Sequence, residues 1–127
     1  MPAIQNPDDT SGRLIAADEV QGTSVYNRAG DKLGSVEDIM IDKVSGKAEY
    51  AVVSFGGFLG LGANEYPIPW EKLTYDTRMG GFVVDIDKSM LENAPVYTDD
   101  ASWGETEWRR VDQHYNSLMP TPMGQRR

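Results

Sequence analysis

Few side chains in this chain are equipped for chemistry. His114 is the one histidine and there is no cysteine, so thiolate nucleophiles, disulfides and thiolate metal sites are excluded. A serine hydrolase needs a nucleophile beside a base that a carboxylate orients. Gly22-Thr23-Ser24-Val25-Tyr26 approaches the Gly-x-Ser-x-Gly elbow, but the last glycine is missing and the stretch reads as strand, not as a strand-to-helix turn. His114, beside Tyr115 near a helix end, reads as a solvated histidine. Asp85-Ile86-Asp87-Lys88-Ser89 opens like a calcium loop. Met90 then stands where the loop needs glycine, and Val96 where it needs an acid. Gly56, Gly57, Gly60 and Gly62 lack the Gly-Lys-Ser/Thr of a phosphate-binding loop and lead into a strand instead of a helix. The expectation is a protein with no catalytic residues, metal or cofactor: not an enzyme.

What remains is apolar. Phe58, Leu59 and Leu61 interrupt the glycine-rich loop, although loops sit at the surface. They either fold back as a lid on one open end of a β-barrel or form an exposed patch for a protein partner or a second copy. Burying three such side chains contributes roughly 5–8 kcal/mol gross. Association costs an estimated ~4–15 kcal/mol, so the loop needs help from more surface. Trp108 and Tyr115 on the C-terminal helix are the candidates to supply it, by subunit contact or by packing on the sheet. The partner-binding set is therefore Phe58, Leu59, Leu61, Trp108 and Tyr115.

These side chains belong to a chain of 127 residues, a length suited to one domain. Hydrophobic content of 39% and charged content of 25% are those of a soluble globule. The net charge of −8 opposes direct binding to nucleic acid, which rests on Lys and Arg neutralising phosphates. No stretch approaches the roughly 18 apolar residues of a membrane span, and Met1–Asp9 has neither the basic region nor the apolar run of a signal peptide. The location expected is cytoplasmic.

Residues 1–13, rich in Pro, Asn, Asp and Ser, read as a disordered tail. Strands follow at Glu19–Tyr26, Lys32–Asp42, Ala48–Phe55, Tyr66–Trp70, Leu73–Asp76 and Gly81–Ile86. Within Lys32–Asp42 the odd offset between Val36 and Ile39 predicts a β-bulge at Glu37-Asp38. Ala48–Phe55 shows little alternation and reads as buried on both faces. Pro67 and Pro69 mark an edge strand. Ser89-Met90-Leu91-Glu92 reads as a capping box, as does Ser102-Trp103-Gly104-Glu105. The second opens a helix with Trp108, Val111, Tyr115 and Leu118 on one face and Asp99-Asp100 favourable to its dipole, ended by Pro120 and Pro122. The fold class is all-β with a C-terminal helix: a small antiparallel six-stranded β-barrel. It occupies 14–98, with a helical extension over 99–119 and a disordered tail over 120–127.

Taken together, Val20-x-Gly22-x-x-Val25-Tyr26-Asn27, Gly30-x-x-x-Gly34-x-Val36, Ile41-Asp42-x-x-x-Gly46, Tyr50–Gly60 and Tyr66-Pro67-Ile68-Pro69-Trp70-x-x-Leu73 resemble a PRC-barrel domain. This is the small barrel shared by the cytoplasmic part of the photosynthetic reaction centre H subunit and the C-terminal half of a ribosome maturation factor. The chain is most similar to the small stand-alone bacterial members, with no membrane helix and no N-terminal domain like that of the ribosome factor. The resemblance implies a non-enzymatic docking or regulatory module for a protein partner, expected as a homodimer. The alternative it implies is an RNA-processing or ribosome-associated factor acting through a basic ribosomal protein.

Overall fold

The computed structural model describes residues 13–55 and 64–119. The segments 1–12 and 120–127, expected as disordered tails, and the glycine-rich loop 56–63 lie outside the described residues. Six strands form one sheet: β1 (Ser24–Tyr26), β2 (Lys32–Ile41), β3 (Ala48–Ser54), β4 (Glu65–Pro69), β5 (Thr74–Asp76) and β6 (Gly81–Val83). Their spatial order is β4-β3-β2-β1-β6-β5. Among the described residues three α-helices accompany them: α1 (Ala17–Val20), α2 (Lys88–Leu91) and α3 (Glu105–Leu118). Residues Glu19 and Val20, expected in the first strand, lie in α1, and the chain turns through Gln21-Gly22 before β1 begins.

Two parts of the barrel expectation change. The sheet is mostly antiparallel, but β1 and β6 run parallel, with Val25 opposite Phe82 and Tyr26 opposite Val83. The cause is the link between β4 and β5. It is not a hairpin: a 3-10 turn at Trp70–Lys72 carries the chain onward in the same direction, from one edge of the sheet to the other. The hairpin β5–β6 then places β6 alongside β1 in the same sense. No ladder joins β4 to β5 among the described residues, so hydrogen bonding does not close the barrel. The sheet is nonetheless strongly curled. Six flat strands would separate the two edges by about 24 Å, whereas the five residue steps from Pro69 to Thr74 reach at most about 18 Å.

Local expectations fare better. The register of β2 on β3 shifts between Val36 and Asp38, where the bulge was expected. Ala51, Val52 and Val53 are buried in succession, so both faces of β3 are covered. Asp42 and Lys47 close the β2–β3 hairpin, Asp42 N–H donating to the Lys47 carbonyl at 2.8 Å. Strand β4 is an edge, and its prolines sit where an edge tolerates them. The Glu65 carbonyl faces away from β3 and accepts from the Tyr97 N–H at 2.8 Å. Pro67 and Pro69 share its parity, so the missing N–H groups belong to the open side and no bond to β3 is lost.

The core gathers Val25, Leu33, Val36, Val53, Phe55, Ile68 and Phe82 from the sheet side, with Leu91, Val111 and Tyr115 from the helical side. Helix α3 packs on β4. Its expected apolar face holds for Val111 and Tyr115, both fully buried, while Leu118 is exposed. Both helix caps differ from expectation. In α2 the cap is Asp87, whose carboxylate accepts from Met90 N–H and the Ser89 hydroxyl. In α3 the cap position is Gly104, and Glu107 reaches back to accept its N–H at 2.8 Å. Asp100 lies upstream of the helix and accepts from the N–H and hydroxyl of Ser102.

Three consequences are measurable. A Cβ on Gly34 would stand 2.0 Å from the Ser54 carbonyl oxygen, so Gly34→Ala should destabilise by about 3 kcal/mol or more in urea unfolding. Gly46, with positive φ and open space around it, should lose only about 1–2 kcal/mol on the same change. The buried Tyr115 hydroxyl has no hydrogen-bond partner among the described residues. Tyr115→Phe should therefore leave the melting temperature unchanged or raise it, while Tyr115→Ala should cost about 3–5 kcal/mol. Hydrogen bonds from Ser89 and Met90 hold Asp87 below its ordinary pKa, and bonds from Ser102 do the same for Asp100. Their contribution is complete above the unfolded carboxylate value of about 3.9 and is lost as pH falls through the lower folded values. Carbon-detected titration should find both carboxylates titrating below the ordinary aspartate value.

Candidate functional site

Strand β3, α3 and the 3-10 turn meet in a solvent-open cleft of about 370 Å³. Tyr50 enters it from β3, opposite Pro69 of β4. Its hydroxyl donates to Asp112 Oδ1 on α3 at 2.7 Å. Its ring stacks on Trp108 at 4.5 Å between centroids and 22° between planes. Trp70 lines the cleft from the turn and is held from the core side by Phe82, edge-to-face at 5.5 Å. Each large side chain in the cleft is thus positioned by a second element, a condition for a preformed site.

Lys72, the next turn residue but one, fixes the arrangement from below. It is the buried charged side chain of the described residues, and its ammonium donates to the Met119 carbonyl at the C-terminal end of α3. A cation there completes an unpaired helix carbonyl and complements the helix dipole. Glu49 and Glu71 are exposed at the cleft and Asp112 is half-buried, and none of the three is ion-paired among the described residues. Burial first, then the bond to Asp112 and the charges of Asp112, Glu49 and Glu71, push the Tyr50 hydroxyl well above its ordinary pKa. The cleft is a place of negative potential floored by aromatic rings.

Beside it runs an aromatic wall. Trp108 meets Trp103 edge-to-face at 5.3 Å, and Tyr97 packs against Trp103 at 5.1 Å and Trp108 at 6.1 Å. All three are half-buried, and the Trp103 indole N–H has no partner among the described residues.

Of the residues singled out for partner binding, Trp108 stands in this wall. Tyr115 is fully buried and packs in the core, so its surface is spent inside the fold. Phe58, Leu59 and Leu61 lie outside the described residues. Tyr50, Trp70, Tyr97 and Asp112 were not anticipated as a group. Tyr50 and Asp112 are 62 positions apart, and no local pattern links them. His114 is also corrected: it is half-buried, and its Nε2 donates to the Met90 carbonyl at 2.6 Å, tying α3 to α2. Among the described residues no three His, Asp or Glu side chains converge as a metal-binding group, and no helix is long and apolar enough to cross a membrane.

Comparison with known proteins adds the family. No curated protein matches the sequence. Among solved structures the fold is similar to that of RimM from Pseudomonas aeruginosa, assigned to 16S ribosomal RNA processing, at 18% identity and a TM-score of 0.44. The likeness covers 68% of this chain and 50% of the other, so the chain matches about half the length of that protein. The PRC-barrel domain model matches residues 12–91, the whole sheet and α2. The chain belongs to the PRC-barrel domain family.

Proposed function

We propose that the protein is a non-enzymatic docking or regulatory module of the cytoplasm that binds a protein partner and associates with a second copy. The observation that carries this reading is the half-buried wall of Tyr97, Trp103 and Trp108, two rings preceding α3 and one in its first turn. Large aromatic rings left partly open to solvent are the side chains that anchor protein interfaces, because they offer wide contact area at small entropic cost. Phe58, Leu59 and Leu61, which lie outside the described residues, are proposed as further partner-binding side chains alongside Trp108. A second reading, an RNA-processing or ribosome-associated factor, is favoured by one observation. A chain of net charge −8 is suited to contact a basic ribosomal protein, and ill-suited to contact RNA itself.

The wild-type protein should run in light scattering at twice its 14.1 kDa mass. A Phe58→Asp, Leu61→Asp variant should run as the monomer with an unchanged far-ultraviolet spectrum. In capture from native extract, that variant and Trp108→Ala should each lose partners that the wild type retains. A dimer and a partner set surviving in both variants would overturn the reading.

A further inference from the structure

We infer that the cleft between β3, the 3-10 turn and α3 is a receptor for an arginine side chain on an extended, basic segment of a protein partner. The inference deepens the docking reading and rests on it, by naming the chemistry of what docks. Three carboxylates, Glu49, Glu71 and Asp112, face the single ammonium of Lys47 and leave the lining with a net charge of −2. Anions are repelled from such a place, which removes phosphate, nucleic acid and acidic lipid as occupants.

Shape and chemistry then select among cations. Asp112 spends one oxygen, Oδ1, on the Tyr50 hydroxyl, a bond that orients the carboxylate and leaves Oδ2 for an incoming donor. Glu71 follows Trp70 directly, so a second carboxylate and an indole ring are offered from one turn. A guanidinium is flat: it can stack on the ring of Trp70 or Tyr50 while its in-plane N–H groups meet carboxylates at the sides. An ammonium is a compact point charge and uses only part of this arrangement. A bare metal ion is disfavoured, since no three acidic groups converge among the described residues. Preorganisation is built in from behind. Trp70 is held by Phe82, Tyr50 by Trp108, and the Asp112-bearing helix by Lys72 at its end.

The probe is an acetylated, amidated alanine pentapeptide with a central arginine, titrated into the full-length protein and followed by amide and indole resonances. Counterparts carrying lysine or citrulline at the centre complete the set. Work near physiological ionic strength limits exposed charges to a reach of about 8 Å. The arginine peptide should move the resonances of Tyr50, Trp70 and Asp112, and the uncharged citrulline peptide should bind roughly tenfold more weakly or not at all. Asp112→Asn and Glu71→Gln should each weaken binding by a comparable factor, whereas Glu92→Gln, an exposed acid outside the cleft, should not. Unmoved cleft resonances, equal binding of arginine and citrulline, or an equal loss in Glu92→Gln would each overturn the assignment. An unmoved cleft in a protein whose partner capture still depends on Trp108 would sink the arginine receptor and leave the docking module standing. Arginine binding in a protein whose dimer and partners survive both docking variants would do the reverse.

Discussion

One geometric constraint governs this molecule: consecutive strands lie at opposite edges of the sheet. Strands β4 and β5 are separated by the four residues Trp70–Leu73, yet four other strands stand between them in the sheet. Only a tightly curled sheet satisfies both facts. Curling in turn makes the interior, because it brings Phe82 near Trp70 and lets residues of β1, β2, β3, β4 and β6 share one core. The crossing turn also does the positioning outside. Trp70 points into the cleft, Glu71 supplies a charge at its rim, and Lys72 is drawn inward to hold the end of α3.

Burial and polarity divide the work along α3. Val111 and Tyr115 commit one side of the helix to the core, with apolar burial supplying the driving force. Asp112 and His114 occupy the flanks and reach other elements through single hydrogen bonds, to Tyr50 on β3 and to the Met90 carbonyl on α2. Trp108 lies one turn nearer the N-terminus and joins the ring wall. The helix is thus held by packing and aimed by polar contacts. This helix lies outside residues 12–91, the part of the chain that matches the family.

The pattern of what could be read from the sequence follows from the range of each interaction. The bulge between Val36 and Asp38 was legible because it breaks a period of two within one strand. The doubly buried run Ala51–Val53 was legible as an apolar stretch without alternation, and Pro67 and Pro69 announced an edge. The parallel pairing of β1 and β6 was not legible, because it depends on the direction of the β4–β5 crossing and not on either strand's residues. The caps misled for a local reason. Ser89 and Ser102 are both hydrogen-bonded to an aspartate two positions earlier, so the acid and not the serine organises each turn. The cleft was invisible because its members are scattered: Tyr50, Trp70 and Asp112 acquire meaning only when the sheet is curled and α3 is laid on β4.

The prolines of β4 carry a consequence for how copies of this protein can meet. An edge strand ordinarily recruits another by offering alternating donors and acceptors. At Pro67 and Pro69 this edge offers carbonyl oxygens alone, and the Glu65 carbonyl is already taken by Tyr97. A neighbour laid along it would find no donor at these two positions, so a reciprocal ladder would break there. The protein can therefore be crowded without growing fibres from this edge, and a self-association that uses it must be written in side chains, which evolution can retune one residue at a time.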